Sequence, residues 1–349
     1  MKMTQAPDQV HLVGSIGLGS VDEVFQTAGR VLGNRLKRIP DGEPGPRRLW
    51  VSFQYPLLRS SAFLRPDPSG KVRKTNGFPL LCLIEGVTAD EVTFGELGYA
   101  REARSSYADF VAARDRGALP KGIKFQVCLP TPMAVTYAFC TERDVVEIDR
   151  AYEAAMIREV QALCSAIPHE DLCIQWDFCH EMLILDGQPQ DQFPLVEASI
   201  EQIMARMRRI CAPIPTTVDL GIHICYGDFG AKHVIEPVDA TRMVEAANAL
   251  AAAIKRPLTY IHFPIPVAWN EERYYRPFAD LQLSPTTGVY LGLIHILDGE
   301  DATRRRIDIA RQFIPSFGVA TECGIARARK PDVVERTLAL YAAVTRPSS

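Results

Sequence analysis

Gly221-Ile222-His223-Ile224-Cys225-Tyr226-Gly227-Asp228-Phe229 reads as the end of a buried strand that carries a pair of metal-ligating side chains. Side chains at i and i+2 of a strand share a face, so His223 and Cys225 point together while Ile222 and Ile224 point the other way. A neutral imidazole and a thiolate so placed make half of a zinc site. Outward from this stretch the chain repeats one pattern. Short apolar runs at 10–16, 35–39, 124–129, 172–178, 218–226, 258–263, 289–296 and 317–322 read as strands. Longer amphipathic runs at 21–32, 89–116, 143–166, 195–211, 240–255, 302–313 and 332–344 read as helices. Residues 78–84 read as a further strand or the start of a helical arm.

Strand–helix alternation of this kind means a parallel sheet covered by helices. Eight strands in 349 residues, 47% of them hydrophobic, fit a single (β/α)8 barrel over 1–349, an α/β fold of the TIM-barrel type. The stretch 40–77, rich in Pro, Gly and Arg, reads as a long insertion after the second strand, near the barrel mouth. Trp50, Phe53, Tyr55 and Leu57 argue against disorder there. A doubly wound open sheet is the alternative. Gly14-Ser15-Ile16-Gly17-Leu18-Gly19 lacks the acidic residue that a dinucleotide site needs downstream.

A net charge of −3 with no Lys/Arg block points away from nucleic acid and anionic membranes as partners. There is no run of 18 apolar residues to span a bilayer, and Met1 to Gln9 lack a signal-peptide core. Nine cysteines in no framework spacing, several inside apolar runs (Cys82, Cys128, Cys173, Cys179), read as reduced and packed. The expectation is a cytoplasmic protein whose oligomeric state is left open.

A barrel gathers function at the C-terminal ends of its strands. Polar residues fall there in series: Ser15, then Asp41 and Glu43, Asp177 with His180 and Glu181 beyond, His223 and Cys225, His262, His295 and Cys323. Each has a plainer reading. Asp177 would cap a helix, Glu43 would belong to a turn, His262 and His295 would be satisfied core histidines, and Cys323 would be a small core residue. His180 and His233 read as structural or surface residues. Taken together, His223, Cys225 and Cys323 form a soft N/S2 set that selects zinc and leaves a fourth position open, as in catalytic sites.

At these residues the chain resembles the C-terminal barrel of cobalamin-independent methionine synthase and the wider uroporphyrinogen-decarboxylase-like superfamily of zinc thiol-methyltransferases. The matching pieces stand in the family's order: Val13-Gly14-Ser15, Asp41-Gly42-Glu43-Pro44, Gln175-Trp176-Asp177, His223-Ile224-Cys225-Tyr226, Gly288-Val289-Tyr290 through His295, and Glu322-Cys323-Gly324-Ile325 with Arg327. The resemblance implies zinc held by His223, Cys225 and Cys323. It implies an amino acid touched by Ser15, with its amine on Glu43 and Asp177, and proton transfer by His295. It further implies a folate methyl donor, with Tyr137 or a neighbour at the position of the family's folate-stacking Trp. Where the family has a glutamate zinc ligand, the run Tyr260-Ile261-His262-Phe263 places His262, which is either a fourth ligand or none. The other folate-contacting residues and the family's N-terminal barrel have no match. The expected activity is a zinc-dependent methyl or alkyl transferase acting on a small-molecule thiol. The alternatives are a zinc-dependent lyase or hydrolase on the same barrel, or a non-catalytic thiol- or metal-binding relative.

Overall fold

The computed structural model describes residues 7–73, 76–187, 198–228, 232–327 and 329–346. Phe229, residues 74–75 of the expected insertion and residues 195–197 of the expected 195–211 helix lie outside them. In chain order the strands are β1 (Val10–His11), β2 (Arg38–Pro40), β3 (Leu64–Pro66), β4 (Leu81–Leu83), β5 (Lys124–Pro130), β6 (Leu172–Phe178), β7 (Asp219–Ile224), β8 (Tyr260–Pro264), β9 (Gly288–Gly292) and β10 (Gly318–Ala320). The helices are α1 (Val21–Leu32), α2 (Tyr55–Arg59), α3 (Tyr99–Asp115), α4 (Pro132–Phe139), α5 (Val145–Ala166), α6 (His180–Asp186), α7 (Ile200–Cys211), α8 (Thr241–Ala253), α9 (Glu272–Tyr275), α10 (Gly299–Ala310) and α11 (Pro331–Val344).

Eight strands run in one parallel sheet in the order β1-β10-β9-β8-β7-β6-β5-β2. A parallel bridge between Val10 and Leu36 joins its two ends, so the sheet closes into a (β/α)8 barrel. The open-sheet alternative is thereby excluded. Parallel strands all end at one rim, and the pairing levels that rim: Asp177 pairs with His223, His223 with His262, and His262 with Tyr290. No helix among the described residues is long and apolar enough to cross a membrane.

Two expectations shift. Residues 78–84 supply no barrel strand; Leu81–Leu83 pairs antiparallel with β3 in a separate two-stranded ribbon. The expected 89–116 helix begins only at Tyr99, because Gly98 adopts a left-handed φ of 93°. The buried backbone amides at its start are satisfied from a distance. Glu159 on α5 accepts from the backbone N–H of Leu97 at 2.6 Å and Ala100 at 2.6 Å.

The barrel interior is unusually polar. His11, Gln126, Gln175 and Tyr260 are buried within it, and the Arg38 guanidinium lies 4.1 Å from the Tyr260 ring centroid. Space for these large groups comes from a glycine on the neighbouring strand. A Cβ at Gly221 would run into the Tyr260 ring. Gly221→Ala is expected to cost about 1–3 kcal/mol through overpacking, read as a lower urea midpoint at unchanged slope.

Candidate metal centre

Three side chains from two of the barrel's strand ends meet at one point. His223 lies inside β7, Cys225 is the first residue beyond that strand, and Cys323 lies three residues past β10. Their ligand atoms all lie within 4.8 Å of one another, and the two sulfurs are 3.9 Å apart. Two thiolates on one tetrahedral zinc, each at about 2.3 Å, stand about 3.8 Å apart. The sulfur spacing is therefore that of two ligands of one ion and is far too long for a disulfide.

Close approach of β1 to the β10 loop makes this meeting feasible. A Cβ at Gly324 would run into Ser15 Oγ, and the Ile325 N–H donates to the Ser15 carbonyl at 2.7 Å. A side chain at residue 324 would push the Cys323 loop off β1. Ser15 is buried and lines a small cavity together with Glu43, Asp177, Cys179, His223, Cys225, Cys323 and Arg327.

His223 is buried away from water, and desolvation holds its imidazole well below the usual range, with His262 adding to the effect. A neutral imidazole is the form that binds metal. Its Nδ1 is 2.7 Å from His262 Nδ1, and its Nε2 has no hydrogen-bond partner. His262 in turn places its Nε2 3.0 Å from the Thr321 carbonyl. Both nitrogens of His262 are thus engaged, and it stands behind His223 rather than beside the sulfurs. The Cys225 thiol is pushed well above its ordinary range, first by its hydrogen bond with Cys179, and the Cys323 thiol first by Cys225.

Glu43 and Asp177 line the same small cavity. Burial, then Asp177 and Asp41, push Glu43 up to about 8. Burial pushes Asp177 up to about 7, against hydrogen bonds that favour its charge. Asp177 caps no helix. It accepts from Gln175 Nε2 at 2.9 Å and from the Trp50 indole N–H at 3.1 Å. Gln175 is fixed in turn by His11, Tyr260 and the Val13 carbonyl. Glu43 and Trp50 are the positive-φ residues other than glycine among the described residues, at 52° and 55°. Strain of this kind persists where the surroundings over-determine it, and it clusters at ligand sites. Asp41 supplies that constraint at Glu43: its Oδ1 accepts from the Glu43 N–H at 2.9 Å, while Ser106 and Arg47 hold its Oδ2.

His295 is buried, lowered to about 3 chiefly by desolvation, and its Nδ1 is 3.5 Å from Glu322 Oε2. His295 does not line the small cavity. Tyr137, expected at the substrate, is instead buried within α4 beside Arg206 and Asp149, and its neighbour Ala138 faces the larger cavity. The helix phase turns the phenol into the packing against α5 and α7. His180 and His233 are not surface residues. His180 lines the larger cavity, and the His233 side chain is 5% exposed with Nε2 3.6 Å from Glu322.

Trp50 and Cys179 also line the small cavity, and neither is assigned a site role by sequence reading. Cys179 has a usable signal: it stands two residues past Asp177, on the same rim. Trp50 has none, because its place depends on a left-handed turn within an irregular helical segment.

No family model matches the chain, and no curated protein does. Solved structures do. A candidate vitamin-B12-independent methionine synthase from Listeria monocytogenes is similar over 97% of this chain and 97% of its own, with a TM-score of 0.59 and 14% identity. A B12-independent methionine synthase from Shewanella sp. W3-18-1, in complex with selenomethionine, is similar over 97% of this chain and 95% of its own, with a TM-score of 0.55 and 14% identity. At this identity the likeness is one of fold, and it agrees with the barrel.

Proposed function

We propose that the chain is a zinc-dependent transferase that moves a methyl or other alkyl group onto the sulfur of a small amino-bearing thiol. The observation that carries this reading is the convergence of His223, Cys225 and Cys323, with two sulfurs 3.9 Å apart and one imidazole nitrogen unpartnered. The soft N/S2 donor set fits zinc better than magnesium or calcium. Bound there, zinc would supply a Lewis acid that keeps a substrate thiol deprotonated and electron-rich at neutral pH.

The chain's own groups do the rest. Glu43 and Asp177 are buried carboxylates that resist ionising together, so an α-ammonium group is their natural partner. Ser15 offers a buried hydroxyl in the same cavity. His295 and Glu322, behind Cys323, are the pair through which protons exchange. The alkyl donor enters through a second cavity of about 320 Å³ that shares Trp50, Cys179, Asp228 and Arg327 with the first. Its apolar walls, including Leu49, Phe78 and Leu183, suit the flat ring of a folate-type donor or another alkyl donor. The selenomethionine complex of the Shewanella neighbour is in keeping with an amino-acid product.

A pH dependence follows from the carboxylate pair. Both pKa values are raised, to about 8 and about 7, so the charged pair that holds a cation is complete above pH 8 and lost as pH falls through 7. Affinity for an α-amino thiol is expected to fall roughly tenfold or more from pH 9 to pH 6 relative to its desamino counterpart. Titration calorimetry on the zinc-loaded protein would measure both. Parallel curves for the two thiols would remove Glu43 and Asp177 from amine recognition.

A further inference from the structure

The geometry points to His262 as a positioning residue that fixes the tautomer of His223 and so selects the nitrogen presented to the metal. This inference rests on the zinc reading of the site. A backbone carbonyl only accepts, so His262 Nε2, 3.0 Å from the Thr321 oxygen, carries the proton. In a neutral ring the other nitrogen, Nδ1, then has only its lone pair. His223 Nδ1, 2.7 Å away, must therefore donate to it. That leaves His223 Nε2 as a bare lone pair, buried and partnerless in the chain, on a ring that has a nitrogen within 4.8 Å of both sulfurs. The opposite assignment would set two lone pairs against each other at the Thr321 carbonyl.

A free neutral imidazole prefers its proton on Nε2, so the chain of bonds imposes the less favoured form before any ion arrives. The other ring nitrogen of a ligating histidine is commonly fixed by a carboxylate, carbonyl or water. Here a second histidine relays that function from a carbonyl. Thr321, at the end of the relay, also donates its hydroxyl to the Cys323 carbonyl at 2.7 Å. One residue therefore anchors both the imidazole and the distal cysteine loop. With both its nitrogens engaged, His262 supplies no fourth ligand, and the fourth position stays open to substrate.

The test is a long-range proton–nitrogen correlation spectrum of the full chain labelled with 15N-histidine, first metal-free and then with zinc. The His223 signals are assigned by their loss in His223→Asn. The expected result is His223 protonated on Nδ1 and bare on Nε2 in both states. His262→Gln can accept from His223 and donate to Thr321, so it should hold zinc within about threefold of wild type. His262→Leu should weaken zinc binding about 10- to 100-fold. Protonation of His223 on Nε2 in the metal-free protein would overturn the inference, as would equal losses in the Gln and Leu variants. The wild-type spectrum decides alone if a variant fails to fold. Failure of the wild-type protein to bind zinc would instead defeat the transferase reading, while the metal-free spectrum still judges the relay.

Discussion

Cys225→Ser is expected to strip the protein of zinc. Cys225 leaves β7 two residues after His223, and its sulfur is one of two that face each other at 3.9 Å. A serine hydroxyl stays protonated near neutrality and is a hard donor, so it replaces the sulfur in size but not in chemistry. Structural zinc sites bind with about 10–16 kcal/mol spread over four ligands, or about 2.5–4 kcal/mol for each. Losing one should weaken binding by roughly 100-fold or more. Competition with a chromophoric chelator would measure this, and elemental analysis should show loss of stoichiometric zinc. Cys82→Ser serves as the control. That cysteine is buried in the β3–β4 ribbon and should cost stability without touching the metal. Equal zinc affinity in Cys225→Ser and wild type would show that the three side chains meet without serving an ion.

The second large effect is expected at Asp177. Its two oxygens accept from Gln175 and from the Trp50 indole, and it lines the small cavity together with Glu43. Asp177→Asn removes the charge while nearly preserving the shape. The amide must also turn an N–H toward one of two donors, so one of the present hydrogen bonds is lost whichever way it flips. Removing one partner of a buried charge pair, here the partner of the substrate amine, costs about 2–5 kcal/mol. The KM for an α-amino thiol should rise roughly 30-fold or more, while zinc content and turnover of a desamino thiol change little. A loss shared by both thiols would instead assign Asp177 to holding the cavity's shape.

Much of the barrel was legible because parallel strands are buried on both faces and read as continuous apolar runs. β6 begins and ends at the residues expected from the sequence, Leu172 and Phe178. The convergence of His223, Cys225 and Cys323 was legible for the same reason: a polar residue at the end of such a run stands out, and parallel strands bring all such ends to one rim. What could not be read depends on contacts distant in sequence or on backbone signs. The late start of α3 depends on Glu159, 62 residues from the Leu97 amide that it accepts from. The place of Trp50 depends on a left-handed backbone that no residue type announces. His11 looked like one more strand residue, yet its ring bonds Gln175, which in turn holds Asp177. His262 carried a signal at the right rim position, but its role depends on which neighbour each nitrogen meets, and that is a matter of three-dimensional register.

X-ray absorption at the zinc edge, on protein purified under reducing conditions with and without an α-amino thiol, tests the metal centre most directly. The expected result is one zinc per chain with two sulfur neighbours and one imidazole nitrogen, and a third sulfur once the thiol is added. Absence of stoichiometric zinc, a shell of only nitrogen and oxygen, or a sulfur count unmoved by the thiol would contradict it.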